Sequence, residues 1–239
     1  MMKALTACIS LMIFLTALTA SASSISTAPS TLYPYQSGFE MQDDFLSGTV
    51  GSGSMGTLGW TTAGTITVQS SEANRPGIYR VDTSAVSATQ ARLSLPTAVS
   101  IDPALPHAVM WAVRLNTNDA NTTLRIGTQN ATNANPPAQG IFLEKLDADT
   151  NWFCVTRAAS VQTRTDSTIA ITTNFVTVKY TRDSSGVQFS IDNVNVCSLM
   201  TTNIPTTFVV PEVFIINSAA AAKTVDIDYF ETRVSGMVR

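Results

Sequence analysis

Alternation of apolar and polar residues limits the fold of this chain more than any other feature. Ala108 to Leu115 reads A-V-M-W-A-V-R-L and sets Val109, Trp111, Val113 and Leu115 on one face. Phe175 to Arg182 sets Val176, Val178 and Tyr180 against Thr177 and Lys179, and Val187 to Asp192 repeats the pattern with Val187, Phe189 and Ile191. Successive side chains of a strand point to opposite sides, so period two with one apolar face describes a sheet packed on one side only. Shorter strand candidates fill the gaps: Thr65 to Gln69, Ile78 to Asp82, Ala91 to Leu95, Thr123 to Thr128, Ile141 to Leu146, Trp152 to Arg157, Phe208 to Asn217 and Lys223 to Arg233. Breakers separate them, among them Asn74-Arg75-Pro76-Gly77, Asn135-Pro136-Pro137 and Asp183-Ser184-Ser185-Gly186. No stretch keeps a helical period over three turns, and the alanine run Ala219 to Ala222 is too short to hold a helix alone. A dozen or so short strands between turn signals imply two packed antiparallel sheets, and 239 residues suit one such sandwich as a single domain.

The N-terminus is built differently. Lys3 supplies a positive start, Ala4 to Leu18 is mostly apolar and uncharged, and Ala20-Ser21-Ala22 offers small residues where a signal peptidase reads. Residues 1–22 are therefore expected to be a signal peptide. The apolar run is shorter than the roughly 20 residues a membrane span needs, so no membrane association is expected once it is cleaved. Residues 23–37, rich in Ser, Thr, Ala, Pro and Tyr, read as a flexible leader, and the sandwich is expected over 38–239. Only 13% of the residues are charged, against roughly 25% in ordinary soluble domains, which favours a secreted, extracellular or particle-surface protein. A net charge of −3 offers no basic face to collect phosphates, so nucleic acid is not an expected partner. Signal cleavage removes Cys8 and leaves Cys154 and Cys197, and an even pair in an exported chain is more often a disulfide than a metal site or a nucleophile.

The order of short motifs adds a family. D-D-F-L-S-G (Asp43 to Gly48) is followed by G-x-L-G-W ending at Trp60 and by N-R-P-G (Asn74 to Gly77). Then come N-W-F-C-V-T-R from Asn151, V-Q-F-S-I-D-N from Val187 and D-I-D-Y-F-E from Asp226. Over roughly Phe39 to Arg233 this order resembles the concanavalin A-like jelly-roll domains, especially those of phage and other virion structural proteins. The resemblance implies a two-sheet antiparallel jelly roll in which an N-terminal D-x-F strand pairs with a C-terminal I-D-Y strand. A secretion signal departs from the virion proteins assembled in the cytoplasm. The superfamily also holds laminarinase-type glucanases, whose motif resembles Glu-x-Asp-x-Glu or Glu-x-Asp-x-x-Glu. Asp226, Asp228 and Glu231 approach that spacing and are the fallback catalytic set. Three features oppose it. Asp226 is one methylene short, Glu231 falls on the opposite face unless a bulge intervenes, and only Thr232 to Arg239 follows, where the enzymes carry further strands. Val225, Ile227 and Tyr229 are the expected buried set, with both aspartates facing water or a loop.

Other candidates are weighed against plainer readings. Gly51 to Gly56 matches G-x-G-x-x-G, but no helix follows to meet a pyrophosphate. His107 is the only histidine, and no G-x-S-x-G elbow accompanies it. Asp147 and Asp149 form a loop pair of the kind that holds calcium in the similar laminin-type and legume-lectin-type sandwiches; calcium is the one cofactor entertained. Trp152 is the ligand-binding candidate. With Phe153 and Val155 as the core-facing pair, its indole would stand outside beside the disulfide as a platform for sugar rings; buried under a loop, it would be structural. The expected function is non-catalytic binding of a polysaccharide or glycoconjugate at an outer surface. A self-assembling structural subunit and a glycan hydrolase are the alternatives.

Overall fold

The computed structural model describes residues 38–46, 48–49, 54–117, 120–130 and 135–236. The expected signal peptide and leader, and Gly51 and Gly53 of the glycine-rich stretch, lie outside those residues. The described residues form seventeen strands: β1 (Phe39–Asp43), β2 (Gly48–Thr49), β3 (Ser54–Met55), β4 (Thr61–Ala63), β5 (Thr65–Gln69), β6 (Ile78–Asp82), β7 (Gln90–Ser94), β8 (His107–Leu115) and β9 (Thr122–Gln129). They continue with β10 (Gly140–Lys145), β11 (Asn151–Ala158), β12 (Val161–Ala170), β13 (Val176–Asp183), β14 (Gly186–Ile191), β15 (Val194–Met200), β16 (Val210–Asn217) and β17 (Thr224–Val234). The one helical element among the described residues is a 3₁₀ turn at Thr97–Val99.

Two antiparallel sheets form the sandwich. The eight-stranded sheet runs β15-β14-β13-β8-β17-β6-β5 with β1 added beside β17, and the seven-stranded sheet runs β12-β11-β10-β9-β16-β7-β4. Every expected strand segment is a strand. The two long ones that alternation does not reveal, β12 and β15, are edges: V-Q-T-R-T-D-S-T-I-A has no apolar face, and β15 is interrupted by a bulge opposite Gln188. The N-terminal strand pairs with the C-terminal one as the motif order implies, Phe39 opposite Val234 and Asp43 opposite Phe230.

Between the sheets lies an apolar core with an aromatic centre. The rings of Trp60, Trp111 and Phe230 meet with centroids 4.6 to 5.3 Å apart, and Phe45 contacts both Trp60 and Tyr79. The first aspartate of D-D-F-L anchors this end. Buried Asp43 accepts bonds from the Trp60 indole N–H at 2.9 Å, the Phe45 amide at 2.9 Å and the Thr57 amide at 2.8 Å, so burying it leaves few of its lone pairs unmet. Gly56 is required there: its φ is +63°, and a Cβ would lie 2.2 Å from the carboxylate.

One expected face is reversed, and a second changes part-way along its strand. Trp152 and Cys154 point into the core, and Phe153 and Val155 point out. Cys154 must face inward because its sulfur bonds Cys197 of β15, on the opposite sheet. In β17 the buried set is Val225, Ile227 and Phe230 rather than Tyr229, because a register shift between Ile227 and Tyr229 makes Asp228 an extra residue.

Candidate functional site

The bulge does what odd spacing forbids: it returns Glu231 to the outer face that Asp226 occupies, on the eight-stranded sheet. The aspartates are nevertheless committed elsewhere. Asp226 is 0% exposed, contrary to the expected water-facing position, and lies under two guanidiniums. Arg80 donates Nε to Oδ1 at 2.7 Å and Nη2 to Oδ2 at 3.0 Å, while Arg114 donates Nη2 to Oδ2 at 2.6 Å. Burial pushes the Asp226 carboxyl up, and the bonds from Arg80 and Arg114 more than reverse it, holding it below the usual aspartate value. Asp228 pairs with Arg75 at 2.5 Å, and Glu231 accepts the Tyr229 hydroxyl at 2.9 Å and Arg233 Nε at 2.6 Å. Fixed by different cations, the three do not form the acid, base and nucleophile set of the fallback motif.

The remaining sequence candidates are also placed. Trp152, at 1% exposure, faces the core and presents no platform, so the binding role expected of it is withdrawn. Cys154 and Cys197 are bonded, Cα atoms 6.6 Å apart. His107 opens β8, where burial lowers its pKa and Leu105 O lies 2.7 Å from Nδ1. Asp147 and Asp149 do not converge: Asp147 accepts Thr123 Oγ1, whereas Asp149 takes the Leu146 amide and Arg164. The carbonyls of Thr122, Leu146 and Asp147 all accept from the buried Lys145 ammonium at 3.1 to 3.3 Å, so a cation of the chain's own fills this corner. Among the described residues no three His, Cys, Asp or Glu side chains gather as metal ligands.

A different cluster stands on the outer face of the seven-stranded sheet. Phe142, Val155, Val210 and Phe214 are buried yet separate from the core between the sheets. Charged side chains cover them. Arg125 lies over the Phe142 and Phe214 rings at 5.7 and 5.4 Å, and donates Nε to Glu144 at 2.9 Å and Nη1 to Asn135 at 2.8 Å. Arg164 stacks on Phe153 at 3.4 Å and holds the other oxygen of Glu144 at 2.8 Å. Register brings Glu212 of β16 between Gly127 of β9 and Ser94 of β7. Gly127 fits because a Cβ there would meet the Ile141 carbonyl oxygen at 2.3 Å.

Glu212 and its neighbours are not self-sufficient. Glu212 is 1% exposed and Gln129 3%; the Gln129 amide donates to Glu212 Oε1, but Glu212 Oε2 and Gln129 Oε1 have no partner among the described residues. Arg92, also on this face, has Nε and Nη1 buried and unpartnered. Burial pushes the Glu212 carboxyl up to about 7 despite Gln129, Arg92 and Arg125, so near neutrality it carries a proton part of the time. Buried polar atoms left open are rare and call for a ligand or water. The sequence holds one signal for the cluster, a lone glutamate inside V-V-P-E-V-F-I-I. Its partners Arg92 and Gln129 are brought beside it only by strand pairing.

The SO2946-like C-terminal domain matches residues 74–228, more than half of the chain. The chain belongs to that family. Among solved structures it is similar to the protein of unknown function SO2946 from Shewanella oneidensis MR-1, with TM-score 0.63 and 15% identity over 86% of this chain and 90% of that one. It is also similar to a β-1,3-1,4-glucanase (lichenase) from a mouse hindgut metagenome (TM-score 0.58, 10% identity, 83% and 99% covered) and to the carbohydrate recognition domain of Emp47p (0.58, 11%, 83% and 95%). At these identities the likeness is one of fold, and the fold is the concanavalin A-like jelly roll. No curated protein matches the sequence. In this SO2946-like domain the outer face of β7, β9, β10 and β16 therefore combines buried aromatic surface, an ion-paired carboxylate at Glu144, a protonatable one at Glu212, and open donors and acceptors.

Proposed function

We propose that the protein is a secreted, non-catalytic β-sandwich module that binds glycan on the outer face of its seven-stranded sheet. One observation carries the reading: Arg92, Gln129 and Glu212 keep buried donors and acceptors open beside Phe142 and Phe214. Sugar hydroxyls suit such a face, since they both give and accept hydrogen bonds, and Phe142 and Phe214 beneath Arg125 support the polar groups rather than offer a stacking platform. The glucanase and carbohydrate recognition domain that share the fold are consistent with a glycan as partner. Secretion rests on Lys3, the apolar run to Leu18 and the small-residue site at Ala20 to Ala22.

A second reading has its own observation. Glu212, with its pKa near 7, and Glu144, tied to two arginines, are carboxyl groups on one face in different environments, and a pair so divided is how glycoside hydrolases separate acid from base. Affinity electrophoresis through gels carrying different polysaccharides separates the readings. Under the binding reading one gel retards the protein, and Arg92→Ala and Gln129→Ala each weaken retention at least about tenfold, the loss expected for a buried hydrogen bond. Release of reducing ends that Glu212→Gln abolishes would establish the hydrolase instead. Unretarded migration in every gel would leave the structural-subunit role, for which the open, uncharged edge of β5 with exposed Val68 is the available surface.

A further inference from the structure

The outer face of the eight-stranded sheet carries a groove that the glycan reading above does not use. Its floor is β8, whose outward residues are the small Ala108 and Ala112 with Met110 between them. The walls are taller. Thr177, Lys179 and Thr181 rise from β13 on one side, and Tyr229, Glu231 and Arg233 from β17 on the other. Register sets Lys179 and Glu231 across Met110, and Thr181 and Arg233 across Ala108. The depression so formed, about 250 Å³, is lined by Ala108, Met110, Lys179, Glu231 and Arg233.

One of its charged groups is left unpaired within the protein. Glu231 accepts from Tyr229 and Arg233, and Arg233, 63% exposed, also reaches Glu40 at 3.4 Å. Lys179 has no ion-pair or hydrogen-bond partner among the described residues, which leaves one unpaired ammonium at the groove wall across from a carboxylate with acceptor capacity to spare. We infer that this groove binds an acidic sugar chain, with a uronate carboxylate on Lys179, ring hydroxyls on Glu231 and Arg233, and the ring's C–H face on Met110 and Ala108. The other extended ligands fit less well. A peptide adding as a strand needs a free edge, and β8 is paired on both sides by β13 and β17. A phosphate chain has no apolar face to lay on Met110 and Ala108.

The site lies on the opposite sheet from Glu212 and stands or falls independently of it. Titration of a trigalacturonate into the isotopically labelled full chain, followed by amide chemical shifts, tests it. Shifts are expected along 108–112, 177–181 and 229–233, with affinity falling as salt is raised. Lys179→Gln, a change at a half-buried outward position that keeps the native spectrum, is expected to weaken binding at least about tenfold. Ala108→Trp is expected to block binding by filling the floor without altering charge, and Arg92→Ala to leave it unchanged. Shifts confined to the face around Arg92, Gln129 and Glu212, no shifts at all, or wild-type affinity in Lys179→Gln would each overturn the assignment.

Discussion

At Glu212 a carboxyl group is kept where water barely reaches it, and the consequence is a pH dependence of definite sign. Its pKa is raised from 4.5 to about 7 in the folded chain, so between those values the folded state holds a proton that the unfolded state has released. The stability it contributes is complete below the unfolded value and is lost as pH rises through the folded one, a fall of up to about 3 kcal/mol for a shift of this size. Glu212→Gln copies the protonated form and should not lose it. Urea unfolding at pH 5 and pH 8 is expected to show the variant gaining on wild type by up to about 3 kcal/mol at the higher pH. A parallel pH response in both proteins would mean that Glu212 titrates normally. At Trp152 the expected face fails for a definite reason: W-F-C-V-T is apolar in both alternating sets, so alternation alone cannot say which faces the core.

At the level of elements, β17 shows how one extra residue redistributes a strand. Without the shift at Asp228, Tyr229 would lie beneath the sheet and Phe230 outside it. With the shift, Phe230 reaches Trp60 and Trp111 while Asp226, Tyr229, Glu231 and Arg233 share the outer face. The V-D-I-D-Y-F-E-T-R spacing thus approaches a catalytic motif while serving a terminal strand. Asp226 joins β17 to Arg80 of β6 and Arg114 of β8, its two flanking strands. Asp226→Asn keeps the shape and removes the charge that both guanidiniums face. The expected loss is about 3 kcal/mol, the lower end for breaking a buried pair because the arginines remain part-exposed, measured as a lower urea midpoint with unchanged slope. In wild type that contribution is present above the normal aspartate value of 3.8 and disappears as pH falls through the depressed one. An Asp226→Asn midpoint equal to that of wild type at neutral pH would contradict this account.

Across the whole molecule, the two sheets are joined by core burial and by one covalent link at the β11 and β15 side of the sandwich. Cys154 and Cys197 are 43 residues apart, a loop whose closure is worth about 4 kcal/mol in the chain-entropy model. Cys154→Ala with Cys197→Ala should lower the unfolding free energy by about that amount, and reductant should then have no further effect on the variant; an unchanged midpoint would show that the bridge adds nothing. The sequence alone determined the class of the molecule. Side-chain direction in a strand depends only on parity, so one apolar face per segment was enough to imply packed antiparallel sheets, and motif order was enough to pair the first strand with the last. Asp226 and Glu231 could be seen, but not that arginines from β6 and β8 hold the one while a bulge turns the other. Only the tertiary structure decided the face of Trp152, the phase of β17 and the meeting of Arg92, Gln129 and Glu212. The physical reason is shared: each depends on which strand lies alongside, and partners more than 30 residues apart leave no local pattern in the chain between them.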